Sequence, residues 1–151
     1  MDKIESFKIN HNTLKEGIYI SRVDGDVITY DLRTRKPNQG DFMDNVTMHS
    51  VEHMFATYIR NSKISDSVLY FGPMGCQTGF YLLCKGVEKE VVLEEVIKTL
   101  KKIIEHDGEV FGNTQLECGN YKTLDLQKAK IECERYLNVL SNKVNDFKYE
   151  E

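Results

Sequence analysis

Polar and apolar residues alternate along two short segments in the first quarter of the chain. Residues 17–23 and 27–33 both repeat with a period of two, which predicts two strands that each bury one face. Asp24-Gly25-Asp26 lies between them, and an Asp-Gly step between two alternating runs is typical of a β-hairpin. Residues 67–71 and 79–85 predict two further strands, with a turn at Gly72-Pro73-Met74-Gly75 between them.

A helical period replaces the alternation after the second predicted strand. It predicts a helix that is capped by Asn45 or Thr47 and runs to about Arg60. The apolar positions of its buried face are Met48, Val51, Phe55 and Ile59. Two more helices are predicted, over residues 88–106 and 124–143.

Strands joined by hairpins and followed by helices are typical of an α+β fold. We therefore expect an antiparallel β-sheet with helices packed on one face. The chain has no internal repeat and no linker-like segment, so residues 1–151 are predicted to form a single domain.

The composition narrows the classes of partner and compartment. The formal net charge is -4 and no basic face is apparent, which argues against a nucleic-acid partner. No apolar run approaches the roughly 20 residues that cross a bilayer, and the N-terminus lacks the apolar core of a secretory signal. We therefore expect a cytoplasmic protein without a membrane partner. In that reducing compartment the four cysteines are expected to be free, metal-bound or catalytic.

The segment His49-Ser50-Val51-Glu52-His53 carries the first chemical signal. On a helix His49 and His53 lie on the same face, where two imidazoles can bind one metal ion. Glu52 stands where a carboxylate can reach a water molecule or substrate at that metal, in the order H-x-x-E-H. The alternative is a solvated polar helix face that happens to carry two histidines.

Cys118 is the best candidate for a third metal ligand, because it lies in the glycine-containing loop Glu117-Cys118-Gly119-Asn120, and a loop can carry a thiolate to a metal ion. A small buried hydrophobe is the alternative role for this cysteine, and His106 or the acidic residues of helix 88–106 are weaker candidate ligands. Cys76 lies in a glycine-flanked turn that exposes a side chain to a ligand. Cys84 and Cys133, within an apolar strand and the last helix, are predicted to be structural.

Several motifs taken together resemble the S-ribosylhomocysteine lyase (LuxS) family, and the resemblance extends over most of the chain. The turn around Cys76 followed by the loop around Cys118 is its most specific part. The motifs are Ser6-Phe7-(x)3-His11, Asp31-Leu32-Arg33, Pro37-Asn38, His49-x-x-Glu52-His53, Pro73-Met74-Gly75-Cys76-x-Thr78-Gly79 and Leu116-Glu117-Cys118-Gly119-Asn120-Tyr121.

The resemblance implies a cytoplasmic bacterial enzyme and a homodimer with two active sites at the subunit interface. Its reaction converts S-ribosyl-L-homocysteine to L-homocysteine and 4,5-dihydroxy-2,3-pentanedione, the autoinducer-2 precursor, by two carbonyl migrations and a β-elimination. The implied metal is Fe²⁺, replaceable by Zn²⁺ or Co²⁺. By resemblance the residues divide into metal ligands His49, His53 and Cys118, an acid/base pair Cys76 and Glu52, and substrate-binding residues Ser6, His11 and Arg33. Arg33 also suits a homocysteine carboxylate.

One position departs from the pattern, and two alternative functions share part of it. Tyr70 stands where many members of the family carry an acidic residue. A metallopeptidase of the inverted-zincin type also has H-x-x-E-H, although its third ligand is a distal glutamate in a larger unit. A structural zinc site would need a fourth protein ligand, for which Cys76 is the available residue.

Overall fold

Four antiparallel strands form one sheet in the computed structural model of the chain, which describes residues 1–150. The strands are β1 (Gly17–Asp24), β2 (Val27–Arg33), β3 (Val68–Pro73) and β4 (Gly79–Lys85), and their order in the sheet is β1-β2-β4-β3. The predicted hairpin of β1 and β2 and the antiparallel sheet are both confirmed.

The predicted turn after β3 begins later than the sequence pattern indicates. Gly72 and Pro73 still pair with Tyr81 and Phe80 of β4, so they belong to the strand. A proline is tolerated there because β3 is an edge strand, where a missing N–H group costs no hydrogen bond within the sheet.

The helices are α1 (Glu5–Lys8), α2 (Asn45–Ile59), α3 (Lys89–Ile104) and α4 (Leu126–Ser141), with a short 3₁₀ turn at Ser65–Ser67. The three long helices agree with the predicted ones to within about two residues at each end, which is the usual uncertainty of helix boundaries. The pattern missed α1, because a single turn is too short to show a helical period.

Alternation along β2 separates the two faces of the sheet. Tyr30 and Leu32 belong to the hydrophobic core, to which α2, α3 and α4 also contribute. Asp31 and Arg33 must then point to the opposite face, since successive side chains of a strand alternate. The three long helices therefore pack on one face, and the charged pair lies on the other.

Asp44 caps α2, which corrects the expectation of Asn45 or Thr47. The Asp44 carboxylate accepts a hydrogen bond of 2.7 Å from the backbone N–H of Thr47. Asn45 and Thr47 are already helical, whereas Asp44 has the extended backbone that an N-cap requires. Asp44 also forms an ion pair with Lys128, which ties the start of α2 to α4.

The C-terminal segment after α4 returns to the sheet. Phe147 forms a parallel bridge with Tyr19, and its carbonyl accepts a hydrogen bond of 2.9 Å from the N–H of Ile20. Among residues 1–150, no helix has both the length and the apolar character that crossing a membrane would require.

Candidate metal centre and thiol cavity

Three potential metal ligands meet at one place in the fold. His49 and His53 lie one turn apart on α2, with ring centroids separated by 4.6 Å. Cys118 comes from the loop between α3 and α4, and its Sγ lies 3.3 Å from Nε2 of His49. One donor atom from each residue lies within 4.8 Å of the others. The ligand set predicted from the sequence is therefore assembled in one group.

Both imidazoles are held by their Nδ1 atoms. Nδ1 of His53 lies 2.7 Å from the backbone carbonyl of Phe111, and Nδ1 of His49 lies 3.1 Å from the carbonyl and 2.8 Å from Oγ1 of Thr123. A carbonyl can only accept, so we assign the ring proton of each histidine to Nδ1. Each Nε2 therefore keeps its lone pair for a metal ion, an arrangement common in protein metal sites.

Thr123 supports two of the three ligands. Its hydroxyl donates to the carbonyl of Asn120 at 3.0 Å, which leaves Oγ1 free to accept the proton of His49. The backbone N–H of Asn120 in turn donates to Sγ of Cys118 at 3.4 Å. A donor to sulfur stabilises the thiolate, the form in which cysteine binds metal. The loop between α3 and α4 thus orients both Cys118 and His49.

A second loop segment supports His53. Gly112 has φ of 69°, which favours glycine, and a Cβ atom there would lie 3.0 Å from Nδ1 of His53 and crowd the imidazole. His106 anchors this segment, since its Nε2 donates to the carbonyl of Glu109 at 2.8 Å and its Nδ1 accepts from the hydroxyl of Tyr58 at 2.7 Å. Both ring nitrogens of His106 are thus engaged, and the alternative that it is the third ligand is wrong.

Glu52 lies on the same helix surface, three residues after His49, and is half-buried. Its carboxylate makes no hydrogen bond or ion pair with another residue of the described range, so it is available to a ligand at the metal centre.

Cys76 lies apart from the metal group, in the turn between β3 and β4. It is exposed and borders a cavity of about 340 Å³, a size suited to a small molecule. The cavity is lined by Ser6, Phe7, His11, Arg33, Pro73, Met74, Gly75, Cys76 and Tyr81. All of the sequence-predicted substrate-binding residues therefore lie together with Cys76.

Within the described chain the metal group does not include Cys76, which removes the support for a structural zinc site closed by four protein ligands.

Arg33 and Thr78 both contact the thiol. Nη1 of Arg33 donates to Oγ1 of Thr78 at 2.7 Å and lies 3.8 Å from Sγ of Cys76. Because arginine only donates, the Thr78 hydroxyl accepts from it and can donate its own proton to Sγ, which is 3.0 Å away. Both groups thus stabilise a thiolate at Cys76.

Asp31 holds the other edge of the Arg33 guanidinium. Its carboxylate accepts from Nε at 3.1 Å and from Nη2 at 2.7 Å, and both residues are almost completely buried. Burial lowers the pKa of Arg33, but the Asp31 charge and hydrogen bonds outweigh burial and leave the pKa raised. Arg33 is only 2% exposed, so the contacts favour a role toward Cys76 over direct binding of a substrate carboxylate.

His11 lines the cavity. Its Nδ1 lies 2.9 Å from the carbonyl of Ile9, so the proton is assigned to Nδ1 and Nε2 keeps a lone pair. Ser6 lines the same cavity, and its hydroxyl can either donate or accept. Together they offer hydrogen-bonding groups to a polar ligand.

The remaining cysteines are buried, which confirms their predicted structural role. Burial raises the pKa of Cys84 to about 12, and burial together with the nearby Glu132 carboxylate raises the pKa of Cys133.

Tyr70, the position that departs from the family pattern, is half-exposed, and its ring lies over Gly72. It borders a neighbouring cavity with Tyr81 and Leu83 rather than the cavity at Cys76.

Some residues that support the two sites have no role predicted from the sequence. Asp31 and Thr78 each lie two positions from an assigned residue, so strand alternation and the Cys76-x-Thr78 spacing are signals that point to them. Thr123 and Tyr149, whose hydroxyl donates to Oδ2 of Asp31 at 2.7 Å, have no comparable signal, since both reach their partners only through tertiary packing.

Comparison with known proteins identifies the family. Residues 4–146 match the family described as S-Ribosylhomocysteinase (LuxS). The S-ribosylhomocysteine lyase of Finegoldia magna is 46% identical over 147 residues, which cover 94% of each chain. The S-ribosylhomocysteine lyases of Desulfotalea psychrophila and Borreliella burgdorferi are 42% and 40% identical, and the matches cover 94% and 99% of each chain. The chain is therefore an enzyme of the S-ribosylhomocysteinase (LuxS) family.

Proposed function

We propose that this protein is a metal-dependent lyase that cleaves S-ribosyl-L-homocysteine to L-homocysteine and 4,5-dihydroxy-2,3-pentanedione. The names of its relatives support the substrate. The observation that carries the chemistry is the ligand group His49, His53 and Cys118, in which the Nδ1 contacts of both imidazoles leave Nε2 unprotonated. Three protein ligands leave a position open for substrate, as catalytic sites require.

The donor set fits a divalent transition metal. Two imidazole nitrogens and one thiolate suit Fe²⁺, Zn²⁺ and Co²⁺, and we propose Fe²⁺ as the native ion with Zn²⁺ or Co²⁺ as substitutes. When bound, such an ion supplies a Lewis acid that stabilises negative charge developing on the sugar oxygens.

The proposed reaction must first move a carbonyl group. The C5–S bond of the substrate breaks readily only when a carbonyl lies at C3, so that loss of the C4 proton can expel the sulfur. The sugar carbonyl therefore migrates from C1 to C2 and then to C3. Each migration removes a proton from the carbon next to the carbonyl and returns a proton to the former carbonyl carbon. In the elimination the C4–H electron pair forms a C4=C5 double bond, and the C5–S electron pair leaves with sulfur, which takes up a proton to give homocysteine. The remaining enol gains a proton at C5 and loses its C4 hydroxyl proton, which yields the dione.

Two proton carriers divide this work in the proposal. Cys76, as a thiolate stabilised by Arg33 and Thr78, removes and returns the carbon-bound protons. Glu52, which is free of other partners in the described chain, moves protons at the oxygens and serves as the acid or base in the elimination. Separate carriers are needed because the protons leave and arrive at different atoms.

Ser6 and His11 are proposed to bind the substrate, and Arg33 to orient the reaction through Cys76. Ser6 and His11 line the same cavity as the thiol, and their side chains can hydrogen-bond hydroxyl groups of the sugar. Arg33 belongs to the same cavity, and its positive charge is proposed to stabilise the Cys76 thiolate.

We also propose a homodimer with active sites at the subunit interface, and the separation of the two groups supports it. Glu52 and the metal ligands are absent from the lining of the Cys76 cavity, although the proposed reaction needs all of them at one substrate. Large apolar side chains near the cavity are exposed, Phe7 at 69% and Ile4 at 59%. We therefore propose that a second copy brings its metal group to this cavity and covers these side chains.

We also propose that residues 1–151 form a single domain, which carries both the metal group and the thiol cavity. We propose a cytoplasmic location, since four free cysteines suit a reducing compartment. The metallopeptidase alternative loses its support, because the third ligand is a loop cysteine and the thiol cavity has no role in peptide hydrolysis.

Thiol release tests the proposal. Protein loaded with Fe²⁺ under anaerobic conditions is incubated with S-ribosylhomocysteine, and free thiol is measured with a chromogenic disulfide. We expect release that disappears on chelation of the metal and in the Cys76→Ala variant, while the metal content of that variant stays normal. No release from fully metallated protein would exclude the lyase. Loss of metal from Cys76→Ala would instead identify Cys76 as a ligand.

A further inference from the structure

The last residues of the chain lie outside the family match yet are docked on the sheet. The match ends at residue 146, and Phe147 follows with only 5% exposure. Its carbonyl accepts from Ile20, and its ring packs edge-on against Tyr30 at a centroid distance of 6.1 Å. The segment therefore has a fixed path beside β1.

Tyr149 extends this segment to the charged pair behind the thiol. Its ring stacks on Tyr19 with centroids 4.7 Å apart and 14° between the planes. Its hydroxyl donates a hydrogen bond of 2.7 Å to Oδ2 of Asp31. Burial, followed by the Asp31 charge, raises the pKa of Tyr149, so the hydroxyl keeps the proton that it donates.

The Asp31 carboxylate thus connects Tyr149 to Arg33. Oδ2 accepts from both the Tyr149 hydroxyl and Nη2 of Arg33, each at 2.7 Å. Asp31 is completely buried, so solvent does not readily replace a lost donor at this oxygen. On the far side of the guanidinium, Nη1 faces Thr78 and Cys76.

We propose that Tyr149 is a positioning residue for Cys76 and acts through Asp31 and Arg33. This inference rests on the proposed role of Cys76 as a thiolate. A donor on Asp31 offsets part of the carboxylate charge, so more of the positive potential of Arg33 reaches the sulfur. It also fixes the plane of the carboxylate and hence of the guanidinium. Tyr149 does not line the thiol cavity, so its effect on Cys76 is indirect.

Two other residues that line the cavity are independent of this path. Tyr81 comes from β4 and His11 from the N-terminal segment, and neither forms a hydrogen bond with Tyr149 in the described chain. Along the hydrogen bonds of the described chain, Tyr149 therefore reaches the thiol through the Asp31 carboxylate and Arg33.

The test measures the reactivity of Cys76 in the metal-loaded, full-length Tyr149→Phe variant. This substitution keeps the stacked ring and removes only the hydroxyl. Iodoacetamide labelling of Cys76 is followed against pH, with the site identified by peptide mass spectrometry. We expect the pH of half-maximal labelling to rise by roughly half to one unit, and labelling at neutral pH to slow about three- to tenfold. The value of kcat should fall more than KM changes.

Tyr19→Phe is the matched control, because it removes the hydroxyl of the stacked partner, which donates to the carbonyl of Lys15 rather than to Asp31. It should leave the labelling profile unchanged. An unchanged profile in Tyr149→Phe, or an equal shift in both variants, would overturn the proposal. Labelling needs no substrate, so a shift specific to Tyr149→Phe in a protein that releases no thiol would reject the lyase and retain this inference.

Discussion

The guanidinium of Arg33, almost completely buried, lies 3.8 Å from the sulfur of Cys76. The register of the sheet causes this proximity, because Arg33 at the end of β2 pairs with Gly79 at the start of β4, next to Thr78. A Cβ atom at Gly79 would lie 2.7 Å from the carbonyl of Leu32, so the strands can approach this closely only with glycine there. The cation is therefore placed beside the thiol by strand pairing.

Thr78→Val tests the hydroxyl that lies between Arg33 and Cys76. Valine has nearly the same shape but leaves the buried Nη1 of Arg33 without its partner, so we expect a loss of about 1–3 kcal/mol in unfolding free energy. Labelling of Cys76 by iodoacetamide at neutral pH should also slow, because the donor to sulfur is gone. Thr78→Ser keeps the hydroxyl and should label at nearly the wild-type rate. Equal labelling rates in all three proteins would show that Thr78 has no effect on the thiol.

Thr123→Val tests the residue that orients His49. Without Oγ1 the imidazole loses its 2.8 Å partner, and the link through the Asn120 segment to Cys118 is weakened. We expect metal affinity to fall about 10- to 100-fold, the usual effect of removing such a partner. Competition with a chelator, followed by the visible absorption of bound Co²⁺, measures the change. Thr123→Ser should bind nearly as the wild type; an affinity loss as large as that of valine would contradict the hydroxyl's role.

Gly112→Ala tests the close approach of the loop to His53. Alanine at φ of 69° costs about 1 kcal/mol, and its Cβ atom would crowd Nδ1 of the imidazole. We expect lower stability and weaker Co²⁺ binding. Gly86→Ala is the control, since Gly86 has φ of 67° with nothing within 4 Å of the added atom. Gly86→Ala should lose similar stability and keep its metal affinity. Weaker Co²⁺ binding in Gly86→Ala as well would show that backbone strain alone explains the effect of Gly112→Ala.

Asp44→Ala tests the cap of the helix that carries both histidines. The hydrogen bond from Lys128, followed by that from the Thr47 N–H, lowers the pKa of Asp44 to about 2. A lowered folded-state pKa means that the stabilisation is complete above the unfolded pKa of about 4 and is lost as the pH falls toward about 2. At pH 7 we expect the variant to lose about 1 kcal/mol.

The pH dependence separates the charge of Asp44 from its geometry. Urea unfolding of metal-free protein should give a difference between wild type and Asp44→Ala that shrinks between about pH 4 and pH 2. Asp44→Asn keeps a capping oxygen and should lose less at pH 7. A difference that stays constant over this range would show that the carboxylate charge contributes nothing.

Complementation tests the shared active site of the proposed dimer. Cys76→Ala and Glu52→Gln are each expected to be inactive alone. Unfolding and refolding them together at equal concentrations should restore about one quarter of the wild-type activity, since half of the dimers are mixed and each has one intact site of two. Sites formed within one chain would stay inactive in the mixture, while sedimentation confirms that mixed dimers have formed.

Local chemistry made much of the fold and of the metal group predictable. The two-residue period of β1 and β2 and the helical period of α2 both arise from burial of one face, so they are visible in the sequence. The four-residue spacing of His49 and His53 follows from the helix itself. Cys118 was predictable only as one candidate among others, because its distance in the sequence says nothing about where its loop returns.

The contacts that orient the metal ligands and the thiol depend on the tertiary structure. Thr123 lies 74 residues from His49, and Tyr149 lies 118 residues from Asp31. Neither contact leaves a periodic signal, since each depends on how a loop or a terminus packs after the core has formed. The secondary-structure elements and the chemical identity of the ligands could be predicted from the sequence alone, because both follow from neighbouring residues. The orientation of each imidazole and the cation beside Cys76 required the fold, because only packing and strand register bring distant residues within hydrogen-bonding distance.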